Sequence, residues 1–147
     1  MNKLLLFLPV FLMISCSLKK DITIISYADL PKPIGPYNHS TSYGNLIFVS
    51  GQIGVDPKTN TLKHGIEEQT VQIFKNLKTI LENNNSDLQH ITKTTIFMTD
   101  IKQFENVNKI YSTYFNNRFP ARSTIEVVAL PMNAGIEIEC IAIKKPF

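Results

Sequence analysis

The chain has 147 residues, 44% of them hydrophobic, with 15 basic and 12 acidic side chains and a formal charge of +3. That length suits one domain with a core of its own, and the apolar share stops well short of a membrane protein's. The charge is too slight, and the basic residues too dispersed, for a nucleic-acid binder; the pairs Lys19, Lys20 and Lys144, Lys145 read as solvated tethers.

After Lys3 come twelve uncharged, almost wholly apolar positions, LLLFLPVFLMIS, and then Cys16. The run suits the hydrophobic region of an export signal and falls short of the roughly 20 residues a spanning helix needs. Its end, Met13, Ile14, Ser15, Cys16, resembles a bacterial lipoprotein processing site, with a small residue before the cysteine that takes the lipid. Met13 stands where leucine is usual. The expectation is an export signal over residues 1–16, a folded domain over 17–147, and anchorage outside the cytoplasm through lipid on Cys16. The alternative, an apolar first strand or a start-site extension, would leave the protein cytoplasmic. Pro9 and the lack of polar alternation weigh against a strand.

Beyond SLKKD, the segment ITIIS predicts a first strand, and ADLPKPIGPY, with three prolines, predicts an extended loop of fixed φ. HSTSY and LIFVSGQI, joined by Gly44 and Asn45, read as a hairpin, and VDPKTNTL as a second tight turn. Over residues 66–81, Ile66, Ile73, Phe74, Leu77, Ile80 and Leu81 recur at helical spacing with charged residues between them, so an amphipathic helix is predicted. NNNSD ends it. ITKTTIFM, residues 91–98, reads as an interior strand.

Asp100 suits the N-cap of a second helix whose stripe is Phe104, Val107, Ile110, Tyr111, Tyr114 and Phe115. STIEVVAL and GIEIECIAI close the chain as two strands joined by PMNA. The order implies an α+β domain: a single mixed β-sheet with two helices packed on one face. The other sheet face would then expose more apolar surface than a monomer tolerates, so self-association through it is expected. Cys140, inside IECIAI, reads as a core residue, and with Cys16 given to lipid no disulfide framework remains. His39, His64 and His90 show no metal-ligand spacing and read as ordinary polar positions.

Chemistry concentrates in PARSTIEVVALPMNAGIEIE, residues 120–139. Arg122 follows Pro120 where the chain turns extended, so its guanidinium can fork both oxygens of a small carboxylate. Glu137 and Glu139 share one face of the last strand by period two, and Glu137 is the candidate that handles an attacking water. The expected site is one where Arg122 and Glu137 converge from neighbouring strands.

Five stretches carry a family resemblance: IGPYNHS, VSGQIGVDPKT, TVQIFKNLKTIL, FMTDIKQFENVNKIYSTYF, and PARSTIEVVALP through IEIECIAI. In order and spacing they resemble the RidA family, which includes the YjgF and RutC groups, over nearly all of the chain after residue 22. The resemblance implies a homotrimer with three clefts between subunits. It also implies hydrolysis of 2-imino acids and their enamine tautomers, such as 2-iminobutanoate and 2-iminopropanoate, to 2-keto acids and ammonia, with no cofactor or metal. Matched residue by residue, Arg122 holds the substrate carboxylate and Glu137 orients or activates the water, while Glu139 is either a second acid or structural. Tyr37 lines the cleft, Gly51 lies against the substrate, and Asn108 borders the site or is simply a helix-surface amide. Thr124 stands where many members have cysteine; its hydroxyl can still bond the carboxylate, but thiol chemistry is absent. His39 stands where glutamine is common. A carboxylate-binding protein without catalysis, or an RNA-cleaving one, are the alternatives, the latter poorly supported by the near-balanced charge.

Overall fold

A computed structural model describes residues 22–25 and 29–146. Cys16 and the expected signal segment lie outside the described residues. The strands are β1 Thr23–Ile25, β2 Ser40–Tyr43, β3 Leu46–Ile53, β4 Val55–Asp56, β5 Thr61–Leu62, β6 Ile91–Met98, β7 Ala121–Glu126 and β8 Ile136–Ile143. The helices are α1 Gly65–Asn83 and α2 Phe104–Ser112. Six strands form one sheet in the order β1-β2-β3-β8-β6-β7, while β4 and β5 make a separate hairpin. All neighbours in the sheet are antiparallel except β6 and β7, which α2 links as a parallel pair.

Helix α1 forms where the apolar period predicts. Glu67 and Glu68 occupy its positive first turn, and it ends where Asn85 takes the left-handed φ of 56° that asparagine tolerates. Its buried face, including Ile73, Phe74, Leu77, Ile80 and Leu81, packs on Ile47, Val49, Ile96, Met98, Ile136 and Ile138 of the sheet. Asp100 does cap, but it opens a 3-10 turn at Ile101–Gln103, its carboxylate accepting from Lys102 N at 3.0 Å. Helix α2 follows and stops at Ser112, earlier than the aromatic stripe suggested. Tyr114 and Phe115 still join the core: the Phe74 and Tyr114 rings stack with centroids 4.1 Å apart.

Strand β7 is shorter than STIEVVAL suggested because β6 ends at Met98. After Val127 N donates to the Met98 carbonyl at 2.8 Å, the chain has no strand left to pair with. PMNA becomes a 3-10 turn, Pro131–Asn133, in which Met132 and Asn133 both hold positive φ. Cys140 is buried, and burial raises its thiol pKa to about 12, so it is an inert core residue.

Only one sheet face carries helices. On the other, Leu46, Phe48, Ile125 and Ile143 remain exposed, and Val128 beyond β7 is fully so. Among the described residues no helix is long and apolar enough to cross a membrane.

The β4–β5 hairpin is tied to α1 by Asn76, whose side-chain amide donates to the Val55 carbonyl at 3.0 Å. Gly54 makes that docking possible, because a Cβ there would sit 2.4 Å from the Gln69 Cα. Gly54→Ala must therefore push helix from hairpin. Its urea midpoint should fall by the equivalent of about 3 kcal/mol, and an unchanged midpoint would show that the docking is loose.

Candidate active site

A cavity of about 280 Å³ opens between the proline-rich loop, the end of β3 and the turn before β8. Pro31, Pro33, Ile34, Ile53, Val55 and Met132 give it apolar walls, and Tyr37, Gly51 and Glu137 lie among them. Glu137 gets there by alternation: Ile136 and Ile138 point into the core, so the residue between them must leave by the opposite face. Between the pairs Val49 with Cys140 and Gln52 with Ile138, β3 spends one residue more than β8, a bulge at Ser50 and Gly51. The bulge presses Gly51 onto the carboxyl, and a Cβ there would lie 1.8 Å from Glu137 Oε1. Burial, and then the neighbouring charge of Glu139 on the same face, raise the Glu137 pKa above the ordinary carboxyl value. A carboxyl so placed can both accept a proton from water and return it.

The cavity's frame is held by buried polar side chains whose role local sequence does not reveal. His39, read as an ordinary polar position, is 3% exposed, and its Nε2 donates to the Pro31 carbonyl at 2.8 Å, pinning the loop. Ser50 Oγ donates to the Asn38 carbonyl at 2.7 Å. Gln69 spans two elements: its amide donates to Lys63 O at 3.0 Å, and its oxygen accepts from Gly135 N at 2.8 Å, just before Glu137. Only the amphipathic helix around Gln69 was readable; a buried glutamine on its core side was the one available signal.

Arg122 lies elsewhere. In β7, Arg122 and Thr124 face α2, whereas Ser123 faces outward and accepts from Lys93 Nζ at 2.7 Å. The guanidinium carbon lies 4.8 Å from the Tyr111 ring centroid and 5.4 Å from that of Phe104. Asn108, Ser112 and Phe119 complete this recess. Ion pairs among the described residues engage Asp56, Glu82 and Asp87, none with Arg122. The Thr124 hydroxyl is buried without a hydrogen-bond partner among the described residues.

The expected residues thus fall into two groups. Tyr37, Gly51 and Glu137 share the cavity, with Glu139 two residues along; Arg122, Asn108 and Thr124 gather beside α2. The expectation of neighbouring strands needs correction, because β6 lies between β7 and β8. Within one chain the guanidinium and the carboxyl leave opposite faces of the sheet and do not converge. Among the described residues, no cluster of His, Cys, Asp and Glu could hold a metal ion.

Residues 27–144 match the family model described as endoribonuclease L-PSP. A RutC family protein of Aquifex aeolicus is 46% identical over 116 residues, 78% of this chain and 93% of its own length. The human protein named 2-iminobutanoate/2-iminopropanoate deaminase is 42% identical over 124 residues, 84% of this chain and 90% of its own. The crystal structure of the YjgF gene product of E. coli superposes with a TM-score of 0.79 at 39% identity, covering 84% of this chain and 99% of that one. E. coli TdcF with bound serine also gives 0.79, at 32% identity and the same coverage.

The raised Glu137 pKa has a stability consequence. The folded state holds this proton to higher pH than the unfolded state does. Stability should therefore fall as pH rises from the ordinary carboxyl range through the raised value, and level off above it. Glu137→Gln should remove that slope. The variant should be the more stable protein at neutral pH and match the wild type in acid, as read from urea midpoints across pH; a variant weaker than wild type at every pH would contradict this.

Proposed function

This chain belongs to the endoribonuclease L-PSP family, the RidA and RutC group, and on that premise we propose that it hydrolyses small 2-imino acids and their enamine tautomers to 2-keto acids and ammonia. The observation that carries the reading is the Glu137 carboxyl, raised in proton affinity and held against Gly51 inside an apolar-walled cavity. In the proposed reaction, water oxygen bonds to C2 as the C=N π pair moves onto nitrogen; Glu137 takes one water proton, the oxygen keeps the other as a hydroxyl, and the nitrogen takes a proton from solvent, giving a tetrahedral carbinolamine. Glu137 then returns its proton to the amine, the C–N bond breaks, ammonia leaves, and the carbonyl forms with loss of the hydroxyl proton. No electrons are transferred, so the chemistry calls on no redox partner.

Arg122 has the properties of the carboxylate holder: a cation that makes no ion pair among the described residues, beside a Thr124 hydroxyl that has no hydrogen-bond partner among them. Because it cannot meet Glu137 of its own chain, the proposed site takes Arg122, Asn108 and Thr124 from one copy and Tyr37, Gly51 and Glu137 from the next. The uncovered sheet face supports such assembly, since Leu46, Phe48, Ile125 and Ile143 leave apolar side chains exposed there for burial. A homotrimer with three such clefts is the proposed state.

Location at a membrane through lipid on Cys16 is proposed from the run at residues 4–15 and the small Ser15 before the cysteine. Membrane fractions of the producing cell should contain the wild type, and Cys16→Ala should leave them; an unprocessed wild type found only in the cytosol would refute anchorage.

The shared site has a direct test. Arg122→Ala and Glu137→Ala should each be inactive in releasing pyruvate from 2-aminoacrylate generated in situ. Co-refolding equal amounts of the two should restore roughly a quarter of wild-type activity, because one cleft in four then draws both intact residues from different copies. Mixtures as dead as the parents would show that the two residues do not share a cleft between copies.

A further inference from the structure

Resting on the reading of Arg122 as the carboxylate holder, we infer that Tyr111 and Phe104 are positioning residues that clamp its guanidinium so that its N–H edges stay turned toward the substrate. Arginine ends a long flexible stem, and an unpaired one on a surface samples many rotamers. Here the cation lies over two aromatic rings, 4.8 Å from Tyr111 and 5.4 Å from Phe104. A ring takes a guanidinium through its flat face and leaves the in-plane donors free, which is the geometry a bidentate carboxylate needs.

Tyr111 is the fixed jaw. It is 3% exposed, wedged edge-on to Phe74 at 5.6 Å and against Phe115 at 4.7 Å. Its hydroxyl is engaged with Thr94 Oγ1 at 2.9 Å, so the phenol oxygen does not compete for the guanidinium. Thr94 is also the β6 residue in register with Arg122, which places ring and cation side by side. Phe104, the first residue of α2, is 37% exposed and forms the outer jaw. Asn108, one turn further along α2, borders the same recess, so one short helix supplies the clamp and the edge of the carboxylate seat.

Binding of 2-oxobutanoate, followed by NMR titration on the full oligomeric protein, tests this. Phe104→Leu keeps an apolar side chain at a partly exposed position and should weaken binding about five- to tenfold, with melting temperature and oligomeric state held. Phe104→Tyr, which restores a ring, should recover most of the loss. Tyr111→Leu should weaken binding at least as much, with Tyr111→Phe recovering it. In an Arg122→Ala parent, Phe104→Leu should have no further effect, since the ring would act only through the cation. Equal weakening in both parents, or none in wild type, would overturn the clamp while leaving Arg122 as carboxylate holder. A wild type that binds no 2-oxobutanoate, or an Arg122→Ala variant that binds it as well as wild type, would remove the underlying reading and the clamp together.

Discussion

Strand β8 is hydrogen-bonded on both edges, to β3 and to β6, so each of its side chains has only two directions available. Ile136, Ile138, Cys140 and Ala142 take the direction of the helices and close the core. Glu137, Glu139, Ile141 and Ile143 are forced into the other. A shift of one residue would bury two carboxylates under α1 and expose four apolar side chains, and the desolvation cost alone would forbid it. The apolar core therefore aims the catalytic candidate: Glu137 stands where it does because its neighbours must be inside.

What that constraint leaves open, smaller devices settle. One extra residue in β3 brings the Gly51 backbone against the Glu137 carboxyl, and the absence of a side chain at Gly51 makes the approach possible. Like charge from Glu139 then adds to burial in raising the proton affinity. Around this, His39, Asn76 and Gln69 use buried polar side chains to hold the loop, the hairpin and the β8 approach as one frame. Their hydrogen bonds stabilise little net, but leaving any of these groups unpaired in the interior would cost more than the bond returns.

The same alternation operates in β7 with the opposite result. Arg122 is aligned with Thr94, whose side chain is buried on the helix side, so the arginine joins α2 and its rings. The proposed anion-binding half and the proposed water-handling half thus sit on opposite faces of one chain. On the proposed function the site is complete only between copies, which would give the bare sheet face a purpose beyond stability.

Strands β3 and β6 and helix α1 were readable because their patterns are local: period two or 3.6 needs only a few residues on either side. The hairpin at Gly44 and Asn45, the buried Cys140 and the bare sheet face followed from the same patterns. The length of β7 was not readable, since it is set by where β6 runs out. Nor was the end of α2, where aromatic residues keep packing after the helix has stopped. The identities of Arg122 and Glu137 as candidates came from the chain alone, as did the shared face of Glu137 and Glu139. That β6 separates their strands, that the two groups face apart, and that Tyr111 and Phe104 receive the guanidinium depended on tertiary structure. Strand order and face are fixed by pairings between residues far apart in the chain, and no local period encodes them.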